Sequence, residues 1–272
     1  MREQLSKTID KSFSRGKNIN IIREYLQKYL LYILYRKKIY KNLVFTGGTC
    51  LRLLYGLKRF SEDLDFSLSE SAKAYDFENV IREAASEFSN SGYNVDTKYN
   101  IENNVQNVFF RFKDILFSLG LSDIKNEKLS IKLEIDTNPP SGGVEIPDIL
   151  NLEFIFYVKH YDLPSLFSGK LHALLFRKFL KGRDFYDLVW YLTKFEDIRP
   201  NYKMLESAIK QTEKEKIIID ENNWRQLLST RIEKVNFLNI IKDVEPFLEV
   251  PDEVELITKA SIFKLIRKLK QK

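Results

Sequence analysis

The chain has 272 residues, 44 % hydrophobic and 30 % charged, a balance that suits a globular protein with a sizeable core in one large domain or two smaller ones. Its single cysteine, Cys50, excludes an intramolecular disulfide framework and points to a reducing compartment. The longest apolar run, Tyr29–Tyr35, is far shorter than the roughly 18 residues of a membrane span. The first residues carry no apolar leader, so the expected location is cytoplasmic, away from membranes. A formal net charge of +6 favours a polyanionic partner without naming one.

Ile21–Tyr40 reads as a helix, because Ile21, Tyr25, Leu26, Tyr29, Leu30 and Ile33 recur at helical spacing. Leu43–Thr46 is a short apolar strand that runs into Gly47-Gly48. Thr49–Tyr55 follows as a short helix that Gly56 stops. Leu64–Leu68 is a strand with Asp65 and Ser67 on one face and Leu64, Phe66 and Leu68 on the other. Ala72–Phe88 is a second helix, and Tyr93–Tyr99, Gln106–Leu119 and Lys128–Thr137 are expected strands. Asn138-Pro-Pro-Ser-Gly-Gly143 breaks the pattern before a further strand at Phe154–Val158. From Leu163 onward the reading is helical: Leu166–Phe179, Phe185–Leu192, Tyr202–Lys210, Asn223–Ile240 and Glu255–Leu269. No internal repeat or low-complexity segment interrupts it. The expected fold is α+β, with a mixed α/β domain over residues 1–160 and a helical domain over 161–272.

The chemistry concentrates between residues 45 and 67. Gly47 and Gly48 can bring a backbone close to a phosphate, because neither has a Cβ in the way. Asp63 and Asp65 are two apart, so in an extended segment they point the same way. Paired carboxylates facing a phosphate-cradling turn are suited to holding Mg²⁺ against a nucleoside triphosphate. In Lys128–Thr137 the alternation is clear: Leu129, Ile131, Leu133 and Ile135 share one face, and Lys132, Glu134 and Asp136 the other. If this strand lies beside Leu64–Leu68, Glu134 or Asp136 supplies a third carboxylate, and the more central Glu134 is favoured. Three carboxylates suit a site for two Mg²⁺ ions.

The fuller pattern, Gly47-Gly-Thr-Cys-Leu-Arg-Leu followed by Arg59-Phe-Ser-Glu-Asp-Leu-Asp-Phe66, resembles the signature of the polymerase-β-like nucleotidyltransferases. Within them it is similar to one branch, the AbiEii/AbiGii nucleotidyltransferase toxins of bacterial toxin–antitoxin systems. A second block, Lys170-Leu-His-Ala-Leu-Leu-Phe-Arg177 and then Gly182-Arg-Asp-Phe-Tyr-Asp-Leu188, resembles the other characteristic block of that branch. The resemblance spans roughly residues 20–195. It implies a polymerase-β-like domain with a mixed sheet, whose active site the helical domain completes. Asp63, Asp65 and Glu134 would hold Mg²⁺. Gly47, Gly48 and Thr49 would meet the triphosphate through backbone amides and a hydroxyl. Lys170 would neutralise phosphate charge, and Asp184 would orient Lys170 or the nucleophile. The implied activity is transfer of NMP from NTP to an acceptor, with tRNA the expected one, in a toxin of phage defence or growth control whose antitoxin is encoded nearby. Two other readings remain open: a non-catalytic nucleotide-, RNA- or protein-binding module, and transfer to a small antibiotic. The Arg-Asp-Phe-Tyr-Asp-Leu block argues against the latter.

Other residues carry weaker signals. Arg59 suits a bidentate grip on phosphate or an ion pair with Glu62 or Asp63. Ser61 suits a phosphate or a turn cap. Asp187 fits a structural pair with Arg183. His160 and His172 are too isolated for a zinc site, and Cys50 reads as a small buried residue. Lys259–Lys272 alternates basic and apolar residues, either as an RNA-facing helix or as the solvated face of a packed one.

Overall fold

The structure, a computed structural model, describes residues 2–73, 75–195, 197–214 and 217–269. Its contacts divide the chain into two units: residues 1–56, 60–139 and 145–160, and residues 57–59, 140–144 and 161–272.

In the first unit, α1 (Arg2–Lys7) precedes α2 (Arg15–Arg36). The Ser14 side chain accepts from the Lys17 amide and caps α2, so this helix starts earlier than its apolar periodicity. Then come β1 (Leu43–Thr46), α3 (Gly47–Tyr55), β2 (Asp63–Leu68), α4 (Phe77–Asn90), β3 (Val95–Asn100), β4 (Val105–Phe112), the single turn α5 (Ile115–Ser118), β5 (Leu129–Asp136), β6 (Glu145–Asn151) and β7 (Ile155–Tyr161). Among the described residues the seven strands form one sheet in the order β3-β4-β5-β2-β1-β7-β6. It is mixed: β1 with β2, β3 with β4 and β4 with β5 are antiparallel, whereas β2 with β5 and β1 with β7 are parallel.

Strict alternation in β5 buries Leu129, Ile131, Leu133 and Ile135 and leaves the intervening polar residues half-buried. The buried face is filled by an aromatic cluster. Phe88 of α4 meets Tyr29 of α2 at 5.5 Å and Phe112 of β4 at 4.8 Å between ring centroids.

Three departures from the sequence reading have local causes. α4 begins at Phe77 rather than Ala72, because the Asp76 side chain accepts from the Asn79 amide and sets the first turn there. β4 stops at Phe112, where Asp114 takes a left-handed conformation (φ 61°), and Ile115–Ser118 is helical instead of extended. β6 is an additional strand at the sheet edge. It is largely exposed and contains Pro147, which an edge strand tolerates.

The second unit holds α6 (Leu163–Phe176), α7 (Gly182–Lys194), α8 (Tyr202–Thr212), α9 (Trp224–Glu233), α10 (Phe237–Val244) and α11 (Lys259–Lys268). The single helix expected over Asn223–Ile240 is two, because Asn236 accepts from the Leu238 amide and starts a new one. Thr258 likewise caps α11 after a 3₁₀ segment, Pro251–Leu256. Phe167 anchors the core, 4.8 Å from Tyr191 and 5.7 Å from Trp224 between centroids. Gly182 sits where α7 meets α10; a Cβ there would lie 2.1 Å from the Ile240 carbonyl oxygen. Its amide donates to the Asp243 carboxylate at 2.6 Å, which caps the start of α7. No described helix is long and apolar enough to cross a membrane.

Candidate active site

β1 delivers the glycine turn and β2 the carboxylates, and their pairing fixes which residues meet. Thr46 pairs with Asp65 across the antiparallel β1–β2 ladder. Gly47 follows with φ +76°, and a Cβ on it would stand 2.1 Å from Asp65 Oδ2. Only glycine fits there, on conformation and on space. The Asp65 carboxylate thus lies against the first residue of α3, where free amides favour negative charge.

The Thr49 hydroxyl is fully buried and donates to the Asp63 main-chain carbonyl at 2.5 Å. In this structure the hydroxyl ties α3 to the start of β2. A second tie went unread in the sequence. Gln27, 1 % exposed on α2, donates through Nε2 to the carbonyls of Ser61 at 3.1 Å and Glu62 at 2.8 Å. A buried amide among the apolar residues Leu26, Leu30, Leu31 and Leu34 was the available signal. The Ser61 carbonyl is thus held in place just ahead of β2.

The parallel β2–β5 register places Asp65 beside Glu134, Asp63 beside Lys132 and Ser67 beside Asp136. Residues directly paired share a face. Glu134 is therefore the immediate neighbour of the Asp63–Asp65 pair. Asp136 is one pair further along, where it accepts from the Asn138 amide at 2.9 Å. Burial raises its carboxyl above the usual range, and the Asn138 amide works against that shift. The Glu134 carboxylate is 2.7 Å from Lys132 Nζ. Among the described residues, no three His, Cys, Asp or Glu side chains stand close enough together to hold a metal ion. Cys50, next to the turn, is fully buried, and its thiol is pushed well above the ordinary range by burial and then by Asp65. That describes a core residue, not a nucleophile.

The remaining candidates belong to the second unit and form an alternating chain of charges. Arg59 is 2 % exposed and forks onto Asp187, Nε to Oδ1 at 2.6 Å and Nη2 to Oδ2 at 2.7 Å. Its guanidinium is thus a partner of Asp187, a pairing that the sequence reading does not include. Lys170 Nζ lies 2.7 Å from Asp187 Oδ2 and 3.1 Å from Asp184 Oδ1. Asp184 Oδ2 in turn meets Arg177 Nη1 at 2.5 Å. Burial works to lower the Lys170 pKa, but Asp187 and Asp184 outweigh it and raise it. For Asp187 burial works upward, and Arg59 and Lys170 hold it below the ordinary value. The ammonium is therefore a fixed cation, unsuited to taking a proton.

His160 is buried against the Tyr55 ring and His172 contacts Thr212 Oγ1 at 2.9 Å, each outside any metal cluster among the described residues. In α11, Ile262 and Ile266 are buried; Lys270 and Lys272 lie outside the described residues.

A mixed sheet whose glycine turn abuts an alternating carboxylate strand is the core of the nucleotidyltransferase fold, and comparison with known proteins gives the same class. The family described as "Nucleotidyl transferase AbiEii toxin, Type IV TA system" matches residues 29–258. The chain belongs to this family of toxins from type IV toxin–antitoxin systems. The crystal structure of JHP933 from Helicobacter pylori matches with a TM-score of 0.53 at 20 % identity, over 90 % of this chain and 93 % of that one. A presumed nucleotidyltransferase from H. pylori gives 0.49 at 21 % identity, over 89 % and 94 %. No curated protein matches in sequence.

Proposed function

We propose that this protein transfers NMP from an NTP to an RNA acceptor, tRNA being the expected one, in a Mg²⁺-dependent reaction that releases pyrophosphate. The observation that carries the reading is the register: Gly47 at positive φ against Asp65, and Asp65 directly paired with Glu134. The donor set fits the ion, since hard carboxylate oxygens suit Mg²⁺. Asp63 and Asp65 would hold it, with Glu134 as the third carboxylate in place of its Lys132 partner. Bound there, Mg²⁺ would offset triphosphate charge and lower the pKa of the attacking hydroxyl.

The chain's own residues supply the rest. The Gly47 and Gly48 amides at the start of α3 would receive phosphate oxygens. The Thr49 and Gln27 ties hold β2 fixed against that turn, so that positioning precedes chemistry. Lys170, kept protonated by Asp187 and Asp184, would offset phosphate charge, with Asp184 orienting it. The family's biology extends the proposal to a cytoplasmic toxin whose antitoxin is encoded nearby.

Full-length protein incubated with Mg²⁺, labelled NTPs and total tRNA should label RNA. Asp63→Asn and Asp65→Asn should each lower labelling at least about a hundred-fold, on the scale of losing a key transition-state electrostatic group. Absence of labelling, together with cellular toxicity unchanged in both variants, overturns the reading.

A further inference from the structure

The register that assembles the carboxylates continues across the sheet. Asp63 pairs with Lys132, Lys132 with Phe109, and Phe109 with Lys98, a single row over β2, β5, β4 and β3. Directly paired residues share a face, so this row lies on the carboxylate side, opposite buried Val108, Phe110, Ile131 and Leu133. The next row brings Arg111 opposite Asp96. There one carboxylate serves three cations: Arg111 at 2.5 Å, Lys128 at 2.9 Å and Lys113 at 3.0 Å. Those cations hold Asp96 ionised, well below the usual carboxylate range, against a smaller opposing effect of burial. Two positive charges remain uncompensated in that group. Phe109 is 36 % exposed in the middle of this basic surface, with Lys132 Nζ 5.5 Å from its ring centroid. A cleft of about 420 Å³ runs alongside, lined by Phe109, the cations Arg23, Lys128 and Lys132 and the acids Glu62, Asp63 and Glu127, so the excess of positive charge lies further out, around Lys98, Arg111 and Lys113.

An exposed aromatic ring among spaced cations is the arrangement that holds single-stranded nucleic acid, one base on the ring and phosphates on the cations. We infer that the outer face of β3, β4 and β5 carries the single-stranded end of the acceptor RNA, with a base stacked on Phe109 and phosphates at Lys98, Arg111 and Lys113. The direction follows from strand order. β1 and β5 flank β2 on opposite sides; the Gly47 turn lies on the β1 side and serves the nucleotide, which leaves the β5 side to the acceptor. The row ends at Asp63, so a strand laid along it brings its terminus to the carboxylates. This inference rests on the RNA-transfer reading and adds the surface that selects the acceptor.

The test is fluorescence anisotropy of full-length protein with a labelled single-stranded RNA oligonucleotide, without NTP or Mg²⁺, so that it does not depend on catalysis. Phe109→Ala should weaken binding roughly 5- to 150-fold, the range for losing one stacked base, while Phe109→Tyr restores it. Lys98→Gln and Lys113→Gln should each make the salt dependence shallower by about 0.7. NTP affinity, titrated separately, should not change in Phe109→Ala; a matching loss there would assign the ring to the nucleotide's base and overturn the inference. RNA affinity unchanged in Phe109→Ala, with unaltered melting of the variant, also overturns it, even if the wild type labels RNA.

Discussion

The protein places charge in two ways. On the sheet, Asp63, Asp65 and Glu134 are half-buried and stand in line because strands alternate and registers match. In the helical unit, Arg59, Asp187, Lys170 and Asp184 are largely removed from water and held by one another. Half-buried carboxylates on a sheet face stay accessible to an added cation; a buried alternating chain is already close to neutral and gains little from one. The first arrangement is the one proposed to bind and react, whereas the second holds a cation in place.

The largest effect should come from breaking the buried chain. Asp187→Ala leaves Arg59 and Lys170 without their shared carboxylate and should cost about 3–5 kcal/mol, read from the denaturant midpoint. The same class of change at Asp65 should leave the midpoint nearly unchanged and remove RNA labelling, and the contrast fails if both variants lose stability equally. Next come the two constrained glycines. Gly182→Ala would press a methyl onto the Ile240 carbonyl, and about 1–3 kcal/mol should follow. Gly47→Ala should cost a similar ~1–3 kcal/mol through its positive φ, and it should also displace Asp65, so activity falls further than stability. Thr49→Val removes one buried hydrogen bond to the Asp63 carbonyl and should cost about 1–2 kcal/mol. The smallest effect belongs to the solvent-exposed Glu206–Lys210 pair, where Glu206→Gln should change stability by less than about 0.5 kcal/mol.

The pH dependence sharpens the same contrast. The Asp187 carboxyl is lowered in the folded protein, so its stabilisation is complete above the unfolded value, about pH 3.9, and is lost as pH falls through the folded one. Lys170 is raised, so its contribution is complete below about pH 10.4 and is lost as pH rises through the folded value. The stability gap between wild type and Asp187→Asn should hold across the neutral range and close in acid, measured by chemical denaturation at several pH values.

What could be read from sequence follows the range of the forces involved. β1, β2 and α3 lie where local alternation, a glycine turn and a glycine stop put them. Asp63 and Asp65 share a face because side chains in a strand repeat every second residue. The choice between Glu134 and Asp136 depended on the β2–β5 register, a non-local pairing that no local pattern carries. Arg59 is the sharper case: its partner Asp187 is 128 residues away. Sequence alone offers Arg59 a phosphate or its neighbours Glu62 and Asp63, because a partner so distant leaves no local trace. β6 was missed because an edge strand with Pro147 lacks the apolar alternation that marks a strand. α2 could have been started correctly at the Ser14 cap.

That long separation bears on biosynthesis. A ribosome adds about 5–20 residues per second, so roughly 6–26 s pass between the making of Arg59 and of Asp187. Throughout that interval Asp187 is not yet there for the guanidinium to join. The helical unit therefore closes only once α7 has left the ribosome. Nascent chains stalled before Asp187 should show residues 57–59 open to protease, and chains stalled well beyond α7 should show them protected.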